Sequence, residues 1–199
     1  MNDSARGYKP ILTYTLLAVN LLIFGIEFLR GGSENLNTVM QMGALYTPLI
    51  LERHEWYRLF CPIFLHFGIE HIMANSFSLF AMGQYVEEYY GRIRFMIIYL
   101  ISGLAGNILT VVVEMYTGAF NVSVGASGAI SGLMGAMIIF AIDPEMRRLF
   151  PLKRALLAVL FLIIPGFTDP TVNGIAHLGG LIGGFLVAGL MYVIKKPRR

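Results

Sequence analysis

The sequence predicts an all-α membrane protein: a bundle of six transmembrane helices whose long first connection lies partly in the membrane interface. Three observations predict it. Of 199 residues, 56% are hydrophobic and only 14% are charged, against roughly 25% charged in a soluble domain. The mean hydropathy is +0.68, and the apolar residues fall in runs approaching the ~20 that a bilayer core requires. Lys and Arg cluster between alternate runs, as they do in loops that stay cytoplasmic. So little polar surface cannot cover a water-soluble globule of this size. The expected organisation is a single membrane domain, residues 1–199.

The first run, 11–29, is long, has no small-residue cleavage pattern after it and precedes five further runs, so it reads as a span and not a signal peptide. The connection at 31–63 is rich in apolar residues for a loop, with Met40, Met42, Leu45, Tyr46, Leu49, Ile50 and Leu51, which suits an interfacial segment. The second run, 64–85, is the least pure and holds His66, Glu70, His71 and Asn75. The third covers 95–115 and the fourth 122–142. The fifth, 155–167, is short and ends at Pro165 and Gly166. The sixth covers 172–194.

Of the 15 Lys and Arg residues, only Arg30, Arg53 and Arg58 fall on one side of the predicted membrane. Arg6, Lys9, Arg92, Arg94, Arg147, Arg148, Lys153, Arg154, Lys195, Lys196, Arg198 and Arg199 fall on the other. The positive-inside rule makes that second side cytoplasmic, together with both termini, and puts the first connection outside. The net charge of +3 is explained by this topology without any nucleic-acid partner. Cys61 is the only cysteine, so no intrachain disulfide can form.

Small residues crowd two runs. Gly125, Gly128, Gly132 and Gly135 lie on the fourth, and Gly179, Gly180, Gly183 and Gly184 on the sixth. Spaced four apart, such residues let helix backbones approach closely in lipid, so these two helices are expected to touch.

Strongly polar groups inside a membrane are costly and mark function. His71 and Asn75 share one face of the second helix, being four residues apart. Ser127 lies on the fourth helix and His177 on the sixth, the latter on the face that carries Gly180 and Gly184. At 1.5 Å per residue, His71, Ser127 and His177 fall roughly 7–11 Å below the outer ends of their helices, in one layer. A serine hydroxyl becomes a nucleophile when a histidine removes its proton. In the run 125–128 the serine sits between small residues at a helix start, where unpaired N–H groups point at developing negative charge. Asn75 and His71 can donate to the same oxygen. Ser131 is expected to bond back to its own helix. His66, Glu70 and His71 form no His-Glu-x-x-His pattern, so no metal is expected. On these residues alone, catalysis stands beside a transport or packing role.

The ordered motifs resemble those of the rhomboid family of intramembrane serine proteases over nearly the whole chain. Glu55-Trp56-Tyr57-Arg58 is similar to that family's Trp-Arg loop motif, with Tyr57 separating the pair. HFGIEHIMAN, 66–75, is similar to its His-x-x-x-Asn segment, and Gly83, Glu87 and Gly91 close that helix. YLISGLAGN, 99–107, resembles its third helix. Gly125 to Gly128 matches Gly-x-Ser-Gly, and Ala176-His177-x-Gly179-Gly180 matches its histidine motif. The resemblance implies a six-helix core without a seventh helix. Ser127 would be the nucleophile, and His177 the general base and acid. His71, Asn75 and the N–H of Ser127 would bind the oxyanion, and Gly125, Gly128, Gly180 and Arg58 would be structural residues near the site. It implies neither an acidic third member nor a cofactor. Many members carry an aromatic residue four after the nucleophile, where this chain has Ser131. The implied partners are transmembrane protein substrates and the bilayer, and the expected location is a bacterial inner (plasma) membrane. A catalytically dead relative would be expected to lack the serine or the histidine. A transporter would often show inverted repeats and broken helices at the midplane.

Overall fold

The computed structural model describes residues 8–144, 146–148, 150–169 and 172–195, and within them the protein is helical, with one isolated strand-like pairing. The basic residues Arg6, Lys196, Arg198 and Arg199 used above to orient the chain lie outside the described residues. Helix α1 is Ile11–Leu29. The first connection folds into α2, Leu36–Gln41, and α3, Thr47–Arg53, followed by 3-10 turns at Trp56–Leu59 and Cys61–Phe64. Then come α4, Ile69–Tyr90; α5, Arg92–Thr117; and α6, Ser127–Ile142. The fifth run is divided into α7, Leu152–Ile163, and α8, Pro165–Thr168, and α9 is Gly174–Lys195.

Two helix starts differ from the sequence expectation by about five residues, the others by two or three at most. The second helix begins at Ile69 and not near 64. Pro62 initiates a 3-10 turn, and Gly68, with φ of +89°, supports a conformation that a side chain rarely adopts. The fourth begins at Ser127 and not near 122. The segment ahead of it is drawn out by partners far away in sequence. Leu45 and Ser123 exchange both backbone hydrogen bonds, at 2.9 and 3.0 Å, and the Gly125 N–H donates to the Pro62 carbonyl at 2.9 Å.

The bundle is organised around α6, whose buried residues occur on every face and not as a single stripe. Leu79, Met82 and Val86 of α4, Phe95, Ile98 and Tyr99 of α5, and Ile130, Leu133, Met137 and Phe140 of α6 form one apolar core. Helix α1 packs against α4 with an inverted pattern. Its buried positions are Thr13, Leu16, Asn20 and Glu27, while Leu22, Phe28 and Leu29 face outward. This polar-inside, apolar-outside arrangement suits a helix bathed in lipid. Among the described residues, α1, α5 and α9 are long and apolar enough to cross a membrane, and α6 is a shorter apolar helix.

Helices α5, α6 and α9 meet at backbone distance. A Cβ on Gly180 would overlap the Gly128 carbonyl, and one on Gly184 would overlap that of Gly132. Gly179 and Gly183 face α5 instead, where an added Cβ would lie 2.9 Å from the Ala105 carbonyl oxygen and 2.8 Å from the Ala105 Cβ respectively. The two interleaved glycine pairs of α9 therefore serve two different neighbours. Such close van der Waals approach replaces the hydrophobic drive that lipid removes.

Candidate active site

Ser127 is the first residue of α6, and no side chain caps that helix end. The first N–H groups of a helix have no partner within it, and they carry partial positive charge. Ser127 is half-buried. Gly125, with φ of +138°, turns the chain into this position. A Cβ at Gly125 would stand 2.8 Å from both Cε1 and Nε2 of His71 and 3.5 Å from the Ser127 Oγ. The His71 ring and the serine hydroxyl thus flank the same point, and only a glycine leaves room between them.

His71 is the third residue of α4, and its Nδ1 accepts the Phe67 N–H at 3.4 Å. In a neutral imidazole that arrangement leaves the hydrogen on Nε2, the atom facing Gly125. Asn75 lies one turn along the same helix. It is buried, and its Nδ2 has no hydrogen-bond partner among the described residues. An unpaired buried amide donor costs free energy unless something supplies an acceptor.

His177 is the fourth residue of α9 and is 7% exposed. Its neighbour Ala176 packs against Gly128: a Cβ on that glycine would lie 3.4 Å from the Ala176 carbonyl oxygen. The residues immediately following Ser127 and preceding His177 are thereby in contact. Ser131 donates to the Ser127 carbonyl at 2.7 Å, which keeps its hydroxyl on its own helix.

His66 is fully buried and lies edge-on to His71, with ring centroids 5.3 Å apart. The His66 backbone N–H donates to the Glu27 carboxylate of α1 at 3.0 Å. Glu70 points outward and is exposed. Among the described residues no group of three His, Cys, Asp or Glu side chains is placed to hold a metal ion.

Arg58 makes its hydrogen bonds within the first connection. It is the internal tie of the first connection, donating through one terminal nitrogen to the Met40 and Ala44 carbonyls, both at 2.9 Å, and through Nε to Glu55 at 2.6 Å. The Arg58 guanidinium, then the Tyr57 hydroxyl, hold the Glu55 carboxyl below its usual range. The connection is fastened to the bundle by Thr47, which donates to Glu114 of α5 at 2.5 Å, and by Asn107, which donates to the Leu59 carbonyl at 2.8 Å.

Sequence reasoning passed over Glu27, Glu114 and Asn173. The first two are acidic residues on otherwise apolar helices, a recognised sign of a buried polar role. Asn173 lies at the start of the sixth apolar run, where a polar residue is a helix-start signal.

A family model for the rhomboid domain matches residues 53–194. The rhomboid protease GluP of Bacillus subtilis is 36% identical over 188 residues, covering 94% of this chain and 36% of that protein. RHOMBOID-like protein 1 of Arabidopsis thaliana is 37% identical over 162 residues, covering 79% of this chain and 40% of that protein. YdcA of Bacillus subtilis is 40% identical over 146 residues, covering 73% of this chain and 71% of that protein. The chain therefore spans well under half of the first two relatives and most of the third. The match takes in Arg58, the His71 and Asn75 turn of α4, the start of α6 and the glycine-lined α9. Together with three membrane-capable helices, this marks an integral membrane protein, and the chain belongs to the rhomboid family.

Proposed function

We propose that this protein is an intramembrane serine endopeptidase that cleaves transmembrane proteins near the outer membrane face, using Ser127 as nucleophile and His177 as general base and acid. One observation carries the reading: Ser127 opens an uncapped helix directly beside the His71 ring, at the crossing where α6 touches the turn that holds His177. The relatives named as rhomboid proteases support the same reaction class.

The Ser127 Oγ attacks the scissile carbonyl while His177 takes its proton. The carbonyl oxygen becomes an oxyanion, to which the Ser127 N–H, the His71 Nε2–H and the Asn75 Nδ2 donate. The unpartnered Asn75 amide and the tautomer favoured by Phe67 support this division of roles. The tetrahedral intermediate collapses as His177 returns the proton to the departing amine, leaving Ser127 acylated. Water, deprotonated by His177, attacks the ester. The new carboxyl group leaves, and Ser127 regains its hydrogen.

The proposal includes six spans, with α4, α6 and α7–α8 crossing beside α1, α5 and α9. Both termini are cytoplasmic, and the Ser127 layer opens to the outside, where hydrolytic water is available. The natural location is a bacterial inner membrane.

The test is cleavage of a reporter transmembrane substrate in proteoliposomes, with fluorophosphonate labelling alongside. Wild type cleaves and is labelled at Ser127. Ser127→Ala and His177→Ala do not cleave, although both remain folded. Asn75→Ala slows turnover by roughly 10²–10³, the value of one oxyanion donor. Wild-type cleavage by Ser127→Ala would sink the assignment.

A further inference from the structure

Four residues before each member of the dyad, the chain carries a hydrogen-bonding side chain, and the two bond to each other. The Asn173 Nδ2 donates to the Ser123 Oγ at 3.0 Å. The same amide nitrogen donates to the Thr110 Oγ1 of α5 at 3.1 Å. The Asn173 Oδ1 accepts the Ala176 N–H at 2.9 Å, and its backbone carbonyl accepts the His177 N–H at 3.2 Å. One residue thus caps α9, holds the first turn that presents His177, and reaches across to the segment that ends in Ser127.

That segment has no regular structure of its own. Its other ties run to α5, where Glu114 accepts the Asn121 N–H at 3.0 Å, and to the first connection, through Leu45 and Pro62. The link from Asn173 to Ser123 is the one of these side-chain and backbone ties that runs directly to the start of α9. The glycine contacts between α6 and α9 lie on the other side of the dyad, deeper along both helices. The dyad is therefore bracketed, by backbone packing below and by the Asn173 bridge above.

We infer that Asn173 is a positioning residue for catalysis: its amide bridge to Ser123 and Thr110 sets the spacing between the Ser127 hydroxyl and the His177 ring. The inference rests on the dyad proposed above. Capping alone would make Asn173 only a stabiliser of α9, and the two roles are separable by chemistry. Serine is also a good helix cap. Its shorter side chain keeps an oxygen for the Ala176 N–H but cannot span to Ser123 and Thr110.

The experiment uses the full chain in proteoliposomes. It measures kcat and KM on a reporter transmembrane substrate, the fluorophosphonate labelling rate of Ser127, and the thermal midpoint. Asn173→Ser and Ser123→Ala should each lower kcat and the labelling rate roughly tenfold or more, because sub-ångström to ångström misplacement of a base costs rate and not binding. KM should stay within about twofold of wild type. The double variant should fall no further than the worse single variant, since both remove one bridge. Wild-type kcat in Asn173→Ser reduces the residue to a cap and overturns the inference, and so do multiplicative losses in the double variant. Ser127→Ala, run in parallel, sets the floor. Cleavage in that variant removes the dyad and the positioning role together, whereas floor activity there with wild-type kcat in Asn173→Ser removes the positioning role alone.

Discussion

Adding one methyl group at Gly180 tests whether helix contact and chemistry are the same thing in this protein. Gly180 lies one turn after His177 and faces α6. A Cβ there would overlap the Gly128 carbonyl oxygen, lie 2.7 Å from the carbonyl carbon and 3.1 Å from the Gly128 Cα. Carbon atoms in ordinary contact sit about 3.5–4.0 Å apart. Relief requires α9 to withdraw from α6 by about 1 Å, because the obstacle is backbone and no rotamer change moves it. Overpacking of that kind costs about 1–3 kcal/mol, which leaves a folded protein. For the proposed dyad of Ser127 and His177 the catalytic consequence is larger. A Ser–His hydrogen bond of about 2.6–3.2 Å stretched by a further ~1 Å ceases to be one, and displacement on that scale costs roughly 10²-fold in rate.

Gly180→Ala should therefore lose roughly 10²-fold in kcat on a reporter transmembrane substrate, measured in proteoliposomes, while its thermal midpoint falls only modestly. Gly25→Ala is the matched control, since a Cβ at Gly25 on α1 meets nothing within 4 Å. That substitution should leave activity unchanged and gain about 0.5–1 kcal/mol by restricting the unfolded chain. A folded Gly180→Ala variant that cleaves within about threefold of wild type would refute the geometric reasoning.

Two more predictions follow from contacts outside the dyad. Glu87, fully buried on α4, accepts the Thr13 N–H at 2.7 Å, the Thr13 hydroxyl at 2.8 Å and the Leu12 N–H at 3.1 Å, so it caps the start of α1 from a different helix. Glu87→Gln should destabilise the folded state by about 2–3 kcal/mol, as expected when buried donors lose their shared acceptor; chemical unfolding in detergent checks this, and a change below about 0.5 kcal/mol rejects it. Trp56, the only tryptophan, adjoins the Arg58–Glu55 pair. The Glu55 carboxyl is held below its model-peptide value of 4.5, so the pair's contribution is complete above that pH and is lost as pH falls through the depressed folded value. Trp56 fluorescence should accordingly show an acid transition below pH 4.5 that is absent in Glu55→Gln, and an identical transition in the variant would exclude Glu55 as its source.

What could be read from the chain depended on whether the deciding interaction was local. The limits of α1 follow from a largely apolar run between Pro10 and Arg30, and structure and sequence agree on them. The contact of α6 with α9 follows from glycine spacing within each helix. The start of α6 did not follow. Val122 and Val124 are as compatible with a span as with an extended strand, and the choice is made by Leu45, 78 positions earlier, pairing with Ser123. The division of the fifth run was partly visible in Pro165, which begins α8. Glu114 and Thr47 are 67 positions apart, and no pattern in either segment announces their bond.

The same distinction sorts the candidate site. Ser127, His177, His71 and Asn75 stand out because polar groups on apolar helices are improbable without a use. Asn173 does not stand out in that way, since it lies where a chain leaves the bilayer and a polar residue is ordinary. Its importance comes from a partner 50 positions away. Residues that do chemistry in a membrane are conspicuous by being polar where lipid forbids it. Residues that aim them sit at helix ends and in connecting segments, where polarity carries no signal. Positioning residues for the proposed dyad are therefore to be expected among the hydrogen-bond partners of the segments that flank it, which here are Asn173 and Ser123.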